Sequence, residues 1–263
     1  MQHLIDSINR KTMRSSSAVK IYSIPDALSP AERAALDEVA EQAKGRPILD
    51  IGVGGGRTVQ PLRAISEDYL GVDNSEPMVS ACRQRFPNVR FALADARRLV
   101  DLPDRSIHLA MFSCNGIGMV SHEDRLQILR EIYRVLEPGG VFLFSTHNQN
   151  CSDHDKGFQF PHFVFTKHPA LLAIRAARFC WHTCVSQFNR MRFDKHSIRT
   201  PQYSIINDRC HDYGVMLYYI TLANQRRQLE SIGYQPNARA FDLNGQLIND
   251  DSALSSIMLI ARK

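Results

Sequence analysis

The sequence predicts an α/β protein: a doubly wound, mostly parallel seven-stranded sheet with an antiparallel C-terminal strand pair and a cap insertion after strand five. Three observations predict it. A short apolar run, residues 48–51, opens directly into a glycine-rich turn holding Gly52, Gly54, Gly55 and Gly56, ahead of a segment with helical character. Further short apolar runs alternate with helix-like segments, the order that gives parallel strands joined by crossover helices. Aspartates recur at the ends of the first three runs, as Asp50, Asp73 and Asp95. In open sheets of this kind ligands bind outside the carboxyl ends of the strands, so the three acids point to one site.

Composition narrows the class. At 263 residues the chain suits one large domain, or one domain with an insertion, and can bury a substantial core. A net charge of +5 permits an anionic substrate but does not by itself indicate nucleic acid. Six scattered cysteines without a paired framework suit a reducing compartment. No apolar run approaches membrane-spanning length, and an N-terminus with Asp6 and no apolar stretch is a poor signal peptide. The expectation is a soluble cytoplasmic protein without membrane insertion.

Residues 1–20 are polar, rich in Ser, Arg and Lys, and read as a mobile arm; residues 1–28 together form an N-terminal arm or lid. Ser29-Pro30-Ala31-Glu32 opens a helix with a capping box, Leu36, Val39, Ala40 and Ala43 give it an apolar stripe, and Gly45 can end it. Tyr22, just before it, would lie beside the glycine loop and touch substrate, or be a surface tyrosine. The loop itself does not fit the dinucleotide fingerprint, because Arg57 or Val59 stands where the third glycine is required. Asp50 at the strand end suits a cationic ligand, which a carboxylate can hold through an ammonium group.

Tyr69 to Asp73 is the second strand, and Asp73 lies 21 positions after Gly52, the distance at which a carboxylate meets ribose hydroxyls. Ser75-Glu76-Pro77-Met78 starts the next helix, where Met78 is core or packs on a purine. Residues 89–94 form the third strand, before Asp95-Ala96, and residues 107–112 the fourth. Ser113, Cys114, Asn115 and Gly116 then face the reacting centre by topology, although Asn115 beside a glycine is also an ordinary turn residue. A helix capped at Ser121 carries an apolar stripe of Leu126, Leu129, Tyr133 and Leu136, and residues 141–146 are the fifth strand, with His147 and Asn148 at its end.

Over residues 20–148, and in outline at the C-terminal end, these motifs resemble the class I S-adenosylmethionine (SAM) methyltransferases. The resemblance rests on Gly52-Val53-Gly54-Gly55-Gly56-Arg57-Thr58, on Asn115-Gly116-Ile117, and on Arg134-Val135-Leu136-Glu137-Pro138-Gly139-Gly140. It implies a core over residues 29–148 that binds SAM. Asp50 and the loop Gly52, Gly54, Gly56 and Arg57 would hold the methionine part, and Asp73, with Asn74 beside it, the ribose. Asp95, Ala96 and Met78 would meet the adenine, with Ser113 on the loop facing the sulfonium. Folds of this family act on very different acceptors, so the acceptor is not implied.

Residues 149–220 exceed an ordinary strand-to-helix link and read as a substrate cap, with a dimerisation element as the alternative. They hold an aromatic cluster from Phe158 to Phe165, expected to wall the acceptor, a helix over residues 169–189, and two strand-like runs at 203–207 and 213–220. Residues 221–263 return to the core sheet. Cys180, His182 and Cys184 lack the second pair a zinc site needs, so no metal is expected. Arg175, Arg178, Arg190 and Arg192 read as a solvated basic face. His122 and His147 are candidate general bases; a helix-start residue and a hydrogen-bonded loop histidine are the other readings. Asn115, Asn148, Tyr22 and Tyr213 are candidate substrate contacts. The expected function is methyl transfer to an oxygen or nitrogen of a small-molecule acceptor. RNA or protein methylation and a non-catalytic SAM-binding regulator are the alternatives; nucleic acid is disfavoured by the lack of an appended module, and a homodimer is possible.

Overall fold

The structure, a computed structural model, describes residues 2–24, 27–152, 154–250 and 253–263. Helices α1 (Gln2–Met13), α2 (Ser16–Tyr22) and α3 (Pro30–Ala43) precede the first strand. Then follow β1 (Ile48–Ile51), α4 (Val59–Arg63), β2 (Tyr69–Asp73), α5 (Glu76–Arg85), β3 (Phe91–Leu93), β4 (Ile107–Phe112), α6 (His122–Val135) and β5 (Leu136–Asn148). Beyond β5 lie α7 (Pro169–Phe193), β6 (Ile198–Arg199), β7 (Ser204–Asp208), the single turn α8 (Cys210–Tyr213) and β8 (Val215–Ile220). The chain closes with α9 (Leu222–Ile232), β9 (Arg239–Phe241), β10 (Leu247–Ile248) and β11 (Ser256–Arg262).

The strands lie in the order β10-β9-β11-β5-β4-β1-β2-β3. From β3 to β5 every pairing is parallel, and β11 runs antiparallel between β5 and β9. The expected mostly parallel sheet with its antiparallel C-terminal pair is therefore present. It is larger than seven strands: β10 folds back on β9, and β8, β7 and β6 extend from the carboxyl end of β5. Strands β1 and β4 are buried along their whole length, as parallel strands covered on both faces must be. Alternate residues feed two apolar layers, Leu49, Ala110 and Phe142 against α6 on one side, and Ile48, Leu109 and Val141 against α3 on the other.

Two sequence readings change here. The stretch read as a mobile arm is helical from Gln2, because Ile5 and Ile8 pack against Ile205, Met216 and Tyr218 of the β7–β8 extension. Helix α6 buries Arg125, Ile128, Leu129, Ile132 and Val135, a stripe rotated from the expected one and containing a cation. In α3 the capping box forms as expected, with Ser29 N–H donating to Glu32 at 2.8 Å and Glu32 N–H donating to Ser29 at 3.2 Å, yet Glu32 itself is buried.

Candidate functional site

The sheet order reverses at β1, which has β2 on one side and β4 on the other; the crevice outside that point is where an open α/β sheet binds its ligand. A cavity of about 370 Å³ lies there. Its walls come from the glycine loop, the ends of β2 and β3, the loop after β4, and helices α1 and α2. Gly52, Gly54, Arg57, Asp73, Asn74, Met78, Asp95, Ala96, Ser113 and Tyr22 all line it.

Asp73 lines this cavity with its carboxylate fixed by backbone N–H groups. Gly54 N–H donates to one carboxylate oxygen at 3.0 Å and Ser75 N–H to the other at 2.9 Å, so each oxygen keeps acceptor capacity on the cavity side. Gly54 can present its N–H because it adopts a left-handed backbone with φ of +53°. Burial pushes the Asp73 carboxyl above its ordinary pKa, and the backbone N–H groups oppose this. Gly55 answers a different need: a Cβ there would come 2.3 Å from the Tyr22 carbonyl, so only glycine lets α2 close on the loop.

Arg57 locks the loop to its surroundings. It pairs bidentately with Glu32 at 2.6 and 2.8 Å and donates to Ser113 Oγ at 2.8 Å. Burial pushes the Glu32 carboxyl up, but Arg57 outweighs it and holds it below its usual range. The helix cap of α3, the ligand loop and the loop after β4 are thus one polar unit.

Several expected contacts are corrected. Asp50 is 1% exposed and does not line the cavity; its carboxylate accepts from Thr58 at 2.5 Å and Tyr69 at 2.7 Å. Burial raises its pKa to about 6, with those hydroxyls opposing. It braces the loop from below. Gly56 faces a separate cavity behind the loop, beside Gln60 and Pro61. Asp95 is at the cavity, but its four acceptor positions are filled: Arg97 donates to it from N–H, Nε and a terminal nitrogen, and Arg10 of α1 donates at 2.7 Å. Burial pushes Asp95 upward, and the arginines win, holding it low. An adenine amino group bonds this carboxylate only where an arginine yields.

A second cavity, about 190 Å³, meets the first at the Cys114–Asn115 peptide, with Cys114 lining the first and Asn115 the second. Asn115, His147 and Tyr213 line it, as do His154, Asp208, Cys210 and Tyr219, which the sequence reading did not single out. Tyr219 donates to Asp208 at 2.5 Å, and the His147 ring lies 4.9 Å from the Tyr219 ring. Burial lowers His147 to about 4, with Asp208 opposing and the Arg125 charge adding to the effect. His154 is likewise lowered, chiefly by burial, and bonds Ser204 Oγ at 2.7 Å.

His122 and Asn148 leave the candidate set. The His122 ring is stacked 4.1 Å from Tyr203 and bonded to the Tyr218 hydroxyl at 2.8 Å, and it lines neither cavity. Asn148 is fully buried and accepts from the Asn150 N–H. Of the aromatic cluster, Phe158 stacks on Tyr213, whereas Phe160, Phe163 and Phe165 are exposed. His182 faces Asp212 at 2.8 Å rather than Cys180 and Cys184, which are exposed.

Sequence reasoning missed Arg125. It is 0% exposed and donates to the Ile117 carbonyl, Thr146 and Gln225, while lying 4.6 Å over the Tyr218 ring. A buried cation held by neutral acceptors fastens the loop after β4 to β5 and α9. Its signal was present: position 125 falls in register with Ile128, Leu129 and Ile132.

The sheet order, the glycine turn and the strand-end Asp73 define an α/β protein built to hold a nucleoside cofactor. Residues 48–140, about a third of the chain, match the family described as methyltransferase domain. It is similar to malonyl-[acyl-carrier protein] O-methyltransferase of Yersinia pestis, with 30% identity over 123 residues covering 45% of this chain and 43% of that protein. Trans-aconitate 2-methyltransferase of Delftia acidovorans is 30% identical over 101 residues, covering 38% of this chain and 37% of that one. The chain thus spans less than half the length of these curated relatives. Its fold is similar to that of 1,6-didemethyltoxoflavin-N1-methyltransferase from Burkholderia thailandensis, solved with S-adenosylhomocysteine. That likeness has a TM-score of 0.62 and 14% identity, covering 100% of this chain and 90% of the other. The CcbJ methyltransferase of Streptomyces caelestis gives a TM-score of 0.61 at 19% identity, with 93% and 95% covered.

SAM, the cofactor of the family, fits the first cavity. Asp73 keeps acceptor capacity for ribose hydroxyls, Met78 and Ile128 supply apolar wall, and the left-handed glycines keep the loop free of side chains.

Proposed function

We propose that this protein transfers a methyl group from SAM to an oxygen or nitrogen of a small molecule held in the second cavity. One observation carries the reading: a cofactor-sized cavity and a smaller one meet at the Cys114–Asn115 peptide, with Cys114 lining the first and Asn115 the second. A sulfonium supplies an already activated leaving group, so the protein's task is alignment in a site shielded from water. Tyr22, Asn115 and Tyr213 serve that alignment.

The imidazoles sharpen the acceptor class. A base with a conjugate-acid pKa near 4 is poorly matched to removing a proton at neutral pH. His147 therefore acts as a neutral hydrogen-bond acceptor, and the nucleophile arrives ionised or with a free lone pair. Lys156, Arg190 and Arg209 on the cavity wall supply cations for a carboxylate, although Asp155, Asp194 and Asp208 beside them leave the wall without net charge. The malonyl and aconitate relatives are named for carboxylate-bearing acceptors, which supports the same choice.

The test is a whole-cell extract incubated with the protein and methyl-labelled SAM, then separated into metabolite, RNA and protein fractions and analysed by mass spectrometry. Label is expected in a small acid or its ester, and its appearance should be strongly reduced by Asp73→Ala. Label in the RNA or protein fraction, or tight SAM binding with no labelled product, would overturn the proposal.

A further inference from the structure

Helix α7 is built inside out. Its inward side is held by polar groups: His182 lies 2.8 Å from the Asp212 carboxylate, and Asn189 donates to the Asp212 carbonyl at 2.9 Å. Ser186 is the helix's one fully buried residue. Its outward side carries Leu171, Ile174, Trp181, Phe188 and Met191, exposed by 46 to 80%. Ile174, Trp181 and Phe188 recur every seventh residue, which keeps them in one row along the helix.

The segment leading into the helix extends the same surface with Phe160, Val164 and Phe165, all exposed. Arg175 fastens it by donating to the carbonyls of Val164 and Phe165 at 3.1 and 3.3 Å. Nine of the sixteen exposed large apolar side chains among the described residues fall between Phe160 and Met191. Scattered exposed apolar residues need no partner, but a concentration of this kind does.

Charge selects the partner. Between residues 157 and 193 there is no acid, against Lys167 and four arginines. Arg178 and Arg192 stand exposed on the outward side, so the expected solvated basic face is an apolar face with cations set into it. A second copy docked here would set these cations against one another. Single-stranded nucleic acid would satisfy the cations but not Leu171, Ile174, Val164 and Met191, which have no ring to stack on a base. An anionic bilayer surface satisfies both, since aliphatic and aromatic groups enter the acyl boundary while arginines meet the headgroups. No helix among the described residues is long and apolar enough to cross a membrane, so the contact is peripheral.

We infer that α7 and the segment before it form a docking face for a bilayer containing anionic phospholipid. The inference does not depend on the reading of the acceptor cavity. Gln159 and Arg190 of the same segment also line that cavity, so docking sets it at headgroup level.

Trp181 is the chain's single tryptophan and is 68% exposed, so its emission reports the contact directly. The whole protein is mixed with vesicles of phosphatidylcholine alone and of phosphatidylcholine with phosphatidylglycerol, and binding is read by emission and flotation. A blue shift and flotation are expected with the anionic vesicles, weakening as salt is raised. Phe188→Glu and Ile174→Glu alter exposed positions and should keep the native circular dichroism while each lowering partitioning by about tenfold or more. Arg178→Gln and Arg192→Gln should each lower it by roughly fivefold at low salt. No shift with either vesicle, equal partitioning to both, or burial of Trp181 by self-association or RNA without lipid would overturn the inference.

Discussion

Helices α6 and α7 belong to one chain and are assembled on opposite plans. Helix α6 turns Ile128, Leu129, Ile132 and Val135 to the sheet and leaves Glu123, Gln127 and Arg130 exposed. Helix α7 turns His182, Ser186 and Asn189 inward and leaves Ile174, Trp181 and Phe188 exposed. The first arrangement is what stabilises a fold in water. The second contributes little to folding and is explained by something outside the chain. Apolar area therefore marks the core in one half of the molecule and an interaction surface in the other.

The largest effect that sharpens this contrast is on stability. Ile132→Ala in α6 should cost about 2–5 kcal/mol, because a fully buried side chain leaves a cavity that neighbours fill only in part. Phe188→Ala in α7 should change stability by no more than about 0.5 kcal/mol, as an exposed position does. Denaturant unfolding of both variants measures the difference. A comparable loss for Phe188→Ala would mean that α7 is core after all.

The same contrast runs through the acids. Asp73 ends β2 and lines the first cavity, whereas Asp50 lies beneath it, inside β1 and paired with Gly71. Asp73→Ala should weaken SAM binding by about 1.5–3 kcal/mol, the worth of hydrogen bonds to a charged group, and Asp73→Asn by less, since one acceptor remains. Asp50→Asn should leave SAM affinity within about threefold, because Thr58 and Tyr69 can still donate to the amide oxygen. Calorimetry with the three variants decides it. A larger loss at Asp50 than at Asp73 would reverse their assignments.

A third prediction uses pH. The folded pKa of His147 lies near 4, below the ordinary value of about 6.5. Between those values the unfolded chain binds the proton and the folded protein does not, so stability falls as pH drops from about 6.5 to about 4. His147→Gln should flatten that part of the stability curve. If the slope is unchanged in the variant, His147 is not held neutral in the fold.

Residues 48–148 were legible because their signals are local. Asp73 is found from a strand ending and a fixed distance to Gly52, and the glycine turn excludes a dinucleotide through Arg57 in one register and Val59 in the other. Strands β2 and β4 fall where the apolar runs do. What stayed hidden depends on partners distant in sequence. Asp212, in a left-handed turn 30 residues beyond His182, decides which way α7 faces. Helical spacing in α7 shows a helix but not its orientation, since arginines and apolar residues occur all round it. The burial of α1 rests on a stripe as narrow as Ile5 and Ile8, which polar neighbours conceal. His122 resembled a base because it opens α6, and it is enclosed by Tyr203 and Tyr218, about 80 and 100 residues away.

The smallest effect concerns the contact between α1 and Asp95, the acid proposed to meet adenine. Arg10 of α1 reaches 85 residues along the chain to Asp95 at 2.7 Å, and Arg10 also pairs with Asp6 at 2.8 Å. Asp95 and Arg10 are each about a third exposed, so the pair is worth at most about 1 kcal/mol after screening. With Arg10 in place, an adenine amino group finds no free acceptor on this carboxylate. Arg10→Ala removes one donor and leaves Arg97 holding the other positions, so Asp95 stays ionised and gains one open lone pair. SAM should then bind up to about fivefold more tightly, since no ion pair has to be broken first. An analogue with hypoxanthine in place of adenine has no amino group to donate and should gain nothing. Calorimetry with both ligands separates the two explanations. If Arg10→Ala weakens both ligands alike, Arg10 is part of the wall that holds the base, and α1 supports the cofactor instead of competing with it.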